Sequence, residues 1–157
     1  GWDLAGSEGK GDYSATVKLA EDSSGSVWII HADAFQHSSE RVRANIRMNA
    51  QVDGRNTFTS LPQDPGQAGK DQAHSLGKEL AGFRFEFTPE SGSKEVRAEP
   101  LAAQVNVGNV KMLRGEWNRD LIEQMRLFPN ATNDDLIDAA SRAYNCGKNK
   151  KQSRVFI

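Results

Sequence analysis

Apolar and polar residues alternate along the first third of the chain in three separate stretches. Trp2-Asp3-Leu4-Ala5-Gly6 reads as the end of a buried strand that runs into a glycine-rich turn, Gly6 to Gly11. Tyr13, Ala15, Val17 and Leu19 then alternate with Ser14, Thr16 and Lys18, the period of a strand with one buried face. After a polar turn from Glu21 to Gly25, the apolar run Val27-Trp28-Ile29-Ile30 is short enough for a central strand. Together these stretches predict an antiparallel three-strand meander.

Farther along, the helical period appears. Ser38 or Ser39 can cap a helix that carries Val42, Ile46, Asn49 and Ala50 on one face and ends near Gly54. The short strand Thr57 to Leu61 leads into Pro62-Gln63-Asp64-Pro65-Gly66-Gln67-Ala68-Gly69-Lys70. Asp64 therefore falls where a strand ends and a helix begins, the place at which open α/β sheets hold ligands. The next helix has Ala73, Leu76 and Leu80 as a stripe and stops near Gly82. In the strand after it, Phe83, Phe85 and Phe87 alternate with Arg84, Glu86 and Thr88, an aromatic face that covers a core or stacks on bases.

Ser93 can cap a further helix, Pro100 breaks or restarts it, and Val105, Val107, Val110 and Met112 predict a short hairpin or strand around Gly108. A helix from Trp117 to about Leu127 presents Leu121, Met125 and Phe128, and Pro129 with Asn130 ends it. The order β β β α β α β α, a short β element, then α α defines an α/β chain with a mixed sheet and helices on its faces.

The last helix opens with Asn133-Asp134-Asp135-Leu136-Ile137-Asp138-Ala139-Ala140. Asn133 is a good cap, and Asp134 and Asp135 complement the positive end of the macrodipole. Asp138 falls in the second turn, beyond that reward, on the same face as Asp135. Carboxylates at this spacing, about 5–6 Å apart at Cβ, repel unless a cation lies between them. A metal ion or Arg142, one turn on, would serve. Lys94 and Arg97 pose the opposite problem: they sit in the opening turn of a helix, where the macrodipole disfavours cations. Phosphate, Glu90 or the acidic cluster would offset that.

Composition narrows the chemistry. With 157 residues, 37% hydrophobic and 26% charged, the chain is long enough for one domain with its own core. No apolar run approaches the roughly 20 residues of a membrane span, and no signal-peptide pattern opens the chain, so the expected compartment is the cytosol. The single Cys146 excludes an internal disulfide, and His31, His37 and His74 lack zinc-site spacing. Any metal site must then be built of oxygen ligands, which favours Mg2+ or Mn2+. A net charge of −1, from 20 Lys+Arg against 21 Asp+Glu, argues against bulk electrostatic binding of nucleic acid. Neutralising Asp3, Asp64, Asp135 and Asp138 with metal would leave 17 acids against 20 bases, a balance of +3. Gly1 in place of Met, with an acid at position 3 of a strand, points to a domain excised from a longer protein. A basic tail runs from Lys148-Asn149-Lys150-Lys151 to Arg154.

Six segments in order carry a family resemblance: Trp2-Asp3-Leu4-Ala5-Gly6; Gly11-Asp12-Tyr13-Ser14-Ala15; Pro62-Gln63-Asp64-Pro65-Gly66-Gln67-Ala68-Gly69-Lys70; Lys94-Glu95-Val96-Arg97-Ala98 with Pro100; Arg114-Gly115-Glu116-Trp117-Asn118; and Phe128-Pro129-Asn130 followed by Asp134-Asp135-Leu136-Ile137-Asp138-Ala139. They extend from Gly1 to about Tyr144. The chain resembles the ribonuclease H-like superfamily and, within it, the nuclease domain of the large terminase subunit of tailed bacteriophages. That resemblance implies a ribonuclease H-like mixed sheet, the meander plus parallel strands, with helices on both faces, over residues 1–147 and a basic tail over 148–157. Asn133 stands where family members often have His, and Asp64 where the family uses Asp or Glu. The family's motor half is absent. Gly66-x-x-Gly69-Lys70 is too short for a phosphate-binding loop and Asp71 replaces its Ser/Thr, so no ATP hydrolysis is expected.

The resemblance further implies a metal-dependent endonuclease that cuts concatemeric viral double-stranded DNA during genome packaging, in the host cytoplasm and transiently at the procapsid portal. Two Mg2+ or Mn2+ ions would lie among Asp3, as the bridge, Asp64, and Asp135 with Asp138, with Asp134 as an alternate ligand. Asp12 is either an outer acid supporting these or an ordinary turn residue. Lys70, Lys94 and Arg97 would hold DNA phosphates, with Lys10 a further possibility. The expected partners are the motor ATPase domain of the same longer protein, the portal and the small terminase subunit. Two alternatives stand beside this: a structure-selective DNA resolvase, and a non-catalytic docking domain for the portal or small subunit.

Overall fold

Strands and helices follow one another in the order that the periodicity predicts. The computed structural model describes residues 1–5 and 13–152. The turn Gly6 to Gly11, with Lys10, and Asp12 lie outside the described residues, as does Arg154. The elements are β1 (Trp2–Asp3), β2 (Ser14–Glu21), β3 (Val27–Phe35), α1 (Ser39–Asp53), β4 (Phe58–Pro62), α2 (Gly66–Glu79), β5 (Arg84–Thr88), α3 (Lys94–Asn106), β6 (Val110–Met112), α4 (Asn118–Leu127) and α5 (Asp135–Gln152). α5 thus continues past position 147.

β1, β2 and β3 form the expected antiparallel meander, and β6 joins the far edge parallel to β3, giving a four-stranded sheet. β4 and β5 pair in parallel as a second ladder, and β1 lies beside β4. A bulge between Lys18 and Leu19 pairs them with His31 and Ile29, so Ile30 is the extra residue of β3. It explains why the buried positions of β3 shift from Val27 and Ile29 to Ala32.

Helices cover both faces. α3, α4 and α5 bury Ala98, Leu101, Leu121, Leu136, Ile137, Ala139, Ala140 and Tyr144 against Ala15, Val17, Val27, Ile29 and Ala32. On the opposite face α1 and α2 bury Val42, Ile46, Ala50 and Leu76 against Trp2, Phe35 and Leu61, with Phe83, Phe85 and Phe87 packed at the margin. The aromatic row therefore covers a core. Ser38 and Ser93 cap α1 and α3 through their hydroxyls, which accept from Arg41 N and Val96 N at 3.4 Å each.

In the middle of the chain one expectation fails, and of the hairpin or strand expected around Gly108 only the strand β6 forms. Pro100 does not interrupt its helix: α3 runs through it to Asn106. The proline removes one helical N–H, whose acceptor would be the carbonyl of the exposed Val96, while Ala98 and Leu101 are buried against α5. Val105 and Val107 are accordingly helical and C-terminal cap residues, and no hairpin forms around Gly108. Gly108, at φ 74°, ends α3 in a Schellman turn, with Asn109 N donating to Gln104 O at 2.9 Å and Gly108 N to Val105 O at 3.0 Å. That turn sends β6 alongside β3.

Two close approaches position the acids. A Cβ on Gly1 would lie 2.2 Å from Ala139 O and 2.5 Å from Ala143 N, so α5 rests with its small residues against the start of β1. A Cβ on Gly69 would lie 2.1 Å from Asp64 O and 2.6 Å from Asp64 C, so α2 packs directly on the segment bearing Asp64. Gly69→Ala should therefore lower stability by about 1–3 kcal/mol, measured by urea unfolding, although alanine favours helix. An unchanged or higher stability would show that the Asp64 segment yields freely.

Candidate metal-binding acidic site

Strand geometry fixes the first acid. Trp2 and Leu4 face the α1/α2 core, so Asp3 between them points to the other side of the sheet, toward α5. α5 starts one residue later than expected: Asp134 O accepts from Ile137 N at 2.9 Å and Asp138 N at 3.0 Å, which makes Asp134, not Asn133, the capping position. Gln124 of α4 accepts from Leu136 N at 3.0 Å, and the Asp134 carboxylate meets Lys94 instead. Asp138 then belongs to the first turn rather than the second. Macrodipole complementarity extends to it, but its burial, with 8% exposure, is not explained by that.

A chain of ion pairs starts here. Lys94 Nζ lies 2.6 Å from Asp134 and 3.4 Å from Asp138, and Arg97 Nη2 lies 3.1 Å from Asp138 and 3.3 Å from Glu90. Arg142 Nη2 closes the chain on Glu90 at 3.0 Å. The expected pairing of Asp138 with Arg142 is thus replaced. Arg142 donates to Thr88 Oγ1 at 2.7 Å and to Leu61 O at 3.2 Å, reaching across the ends of β4 and β5, while Arg97 and Lys94 come from α3 to Asp138. The opening turn of α3 tolerates its cations because these acids face it.

Asp64 and Glu90 are structural counterparts. The parallel register pairs Pro62 with Thr88, and each acid follows two residues later at the carboxyl end of its strand. Both line a cavity of about 240 Å³ together with Asp3 and the prolines Pro62, Pro65 and Pro89. Beyond Glu90 a second cavity of about 220 Å³ is lined by Arg97, Asp138, Arg142 and Asn145.

Electrostatics mark Asp3 as the strained member. Burial pushes its carboxyl up to about 7, and the neighbouring carboxylates of Asp138, Asp135 and Glu90 push the same way, against the pull of Lys94. For Lys94, burial lowers the ammonium, but the hydrogen bond it donates to Asp134 and the charges of Asp138 and Asp134 outweigh it and hold the group above its usual range. Among the described residues no three Asp, Glu, His or Cys side chains stand close enough to cage an ion. The donors are nonetheless hard oxygen ligands crowded around one acid, a set whose repulsion a divalent cation relieves.

The structure therefore brings Asp3 into interaction with Asp135 and Asp138, sets Asp134 one step along through Lys94, and places the exposed Asp64 in the same cavity as Asp3. Lys70 is exposed on α2 next to Gly69. Two residues named in the sequence for their charge alone take larger parts: Glu90 meets Arg97, as one reading of the α3 opening turn expected, and Arg142 turns to Glu90 rather than Asp138. Glu90 carries both arginines and faces Asp3, and a further signal for it is the repeated strand-proline-acid pattern at the ends of β4 and β5. Arg142 ties that acid to the strand ends, which helical spacing alone does not reveal.

Mixed strand pairing, helices on both faces and acids gathered at β1, the β4 end and the last helix define a ribonuclease H-like domain. The family model described as the terminase RNaseH-like domain matches residues 1–146, and the chain belongs to that family. The large terminase nuclease of thermophilic phage G20c, crystallised with bound zinc, superposes with a TM-score of 0.67 over 92% of this chain and 78% of that one, at 19% identity. A Fowlpox virus resolvase in complex with Holliday junction DNA superposes with a TM-score of 0.55 over 99% and 97%, at 11% identity. No curated protein matches the sequence. Among the described residues no helix is long and apolar enough to cross a membrane.

The state of Asp3 has a measurable consequence. Its folded pKa of about 7 lies above the unfolded value near 3.9, so the native state holds the extra proton and stability falls as pH rises between these values. In metal-free buffer Asp3→Asn should be more stable than the wild type by about 1–2 kcal/mol at pH 8, scaled down for partial exposure. That advantage should shrink toward pH 5. A difference that stays flat across the range in urea unfolding would mean that Asp3 titrates as an ordinary surface acid.

Proposed function

We propose that this chain is a divalent-metal-dependent endonuclease domain that cleaves concatemeric viral double-stranded DNA during genome packaging. The observation that carries the proposal is a buried Asp3 with Asp138, Asp135 and Glu90 around it, so that burial first and these carboxylates next lift it to about 7. Membership of the terminase RNaseH-like family supports the viral setting. Asp3 would bridge two ions, Mg2+ or Mn2+, with Asp64 on one and Asp135 and Asp138, or Asp134, on the other. Bound there, divalent ions supply a more basic attacking water and stabilise the charge on the scissile phosphate.

The chain's own residues do the rest. β1 and α5 hold Asp3 and Asp138 in fixed relation through the core beneath them, so little reorganisation remains for the reacting state. Burial keeps Asp138 out of bulk water, and Arg97 and Arg142 keep Glu90 turned into the site. Lys70, Lys94 and Arg97 would meet backbone phosphates, contacts that position a duplex without reading its sequence. The longer protein would add the motor ATPase domain, and the portal and small terminase subunit would be the docking partners. Asp12 would be an outer acid supporting these ligands.

A plasmid-cleavage assay tests this. With Mn2+ or Mg2+ the domain should nick and linearise supercoiled plasmid, and Asp3→Ala should reduce the rate by at least about a thousandfold while retaining the wild-type circular dichroism spectrum. Persistent cutting by Asp3→Ala removes Asp3 from the mechanism. Much faster cutting of a four-way junction than of linear duplex would favour a resolvase, for which the likeness to the Fowlpox virus protein is the supporting observation. No Mn2+ binding at millimolar concentration in calorimetry would leave the docking role.

A further inference from the structure

We propose that Lys94 is an exchangeable internal counter-ion: it neutralises Asp134 and Asp138 in the metal-free protein, yields that place to a divalent cation, and then turns to DNA phosphate. The inference rests on the metal-binding reading above and adds an order of events to it.

The two cations of the α3 opening turn are held very differently. Arg97 has a side chain only 19% exposed and is fixed on three sides, by Asp138 at 3.1 Å, Glu90 at 3.3 Å and the Gly92 carbonyl at 3.0 Å. Asn145 also donates to its backbone carbonyl at 2.9 Å. Lys94 has a side chain 50% exposed, and the partners it reaches are the two α5 acids, at 2.6 and 3.4 Å. An ammonium on a flexible four-carbon stem is readily rehydrated, whereas a guanidinium fork in a fixed set of acceptors is not. Lys94 is therefore the cation that can leave.

What keeps Lys94 in place is charge. Its position at a helix start is unfavourable by itself, and the α5 carboxylates overcome that. A divalent cation on Asp138 takes over the negative charge and repels the ammonium, so both anchors weaken together. The released group stands within electrostatic reach of Asp3, which lines the same cavity as Asp64. A DNA phosphate is then the anion at hand. Metal binding would in this way convert a self-neutralised site into one with a free cation.

Calorimetric titration of Mn2+ into the metal-free protein tests the exchange, with Lys94→Met compared against Lys78→Met, a loss of the same charge at the far end of α2. Lys94→Met should bind Mn2+ about three- to tenfold more tightly, the scale of two partly exposed ion pairs, and Lys78→Met should match the wild type. In parallel, the affinity for a short labelled duplex, measured by anisotropy in chelator and in Ca2+, should rise with the cation in the wild type and rise several-fold less in Lys94→Met. Equal or weaker Mn2+ binding by Lys94→Met overturns the exchange, and so does an equal gain in Lys78→Met. A wild type that binds no Mn2+ removes the metal reading itself, a result distinct from either.

Discussion

Backbone packing of α5 on β1 holds Asp3 and Asp138 within electrostatic reach of each other, and that enforced nearness shapes the acidic face. α5 lies so close to the start of β1 that a methyl group on Gly1 would collide with Ala139 O, and alanines fill the helix surface there. Carboxylates within such reach make each other costlier to ionise, and the raised Asp3 carries part of that cost. Fully buried Ile29, Leu121 and Leu136 on the same side contribute about 1.5–3 kcal/mol each. The core can therefore hold the acids together against their charge, which no arrangement of exposed loops would do.

The same repulsion explains the disposition of the bases. Arg142 and Arg97 are half or more withdrawn from water and are bound by Glu90 as well as by backbone carbonyls, so they act as permanent struts between the strand ends, α3 and α5. Glu90 is the hinge of that arrangement, since each of its oxygens serves a different arginine. Removing it would leave two guanidiniums without their shared anion and would also relieve Asp3 of one like charge. Structural and electrostatic roles are thus joined in a single side chain at the end of β5.

The alternating strands and capped helices were readable because each is a local pattern: Ser38 and Ser93 cap where expected, and the meander follows directly from the two-residue period. Asp3 was readable because an acid amid apolar residues has no ordinary place in a strand. What escaped depends on contacts between distant segments. Pro100 sits inside α3 because α5 packs against Ala98 and Leu101. Gly108 ends a helix instead of turning a hairpin because β3 offers β6 a parallel edge. Gln124 shares the capping of α5, which displaces Asn133 from that role. Arg142 looked like the partner of Asp138 by helical spacing, and it is drawn away by Glu90 and Thr88, residues more than fifty positions upstream that no local window contains.

A near-neutral chain with a cluster of acids around Asp3 is a poor long-range attractor for DNA. Electrostatic steering scales with charges that the duplex sees at a Debye length, and the local field around Asp3 has the wrong sign until cations compensate it. Free in solution, such a domain would meet a duplex rarely and without preference for sequence. Joined to a larger protein that already holds the DNA, it would act at an effective concentration set by the tether rather than by its own affinity. Weak intrinsic binding is then an advantage: an endonuclease acting beside a genome in transit must stay off the DNA except where and when its companion presents a strand. An acidic face that metal compensates, as proposed above, would meet that requirement, because its affinity can be low without its positioning being loose.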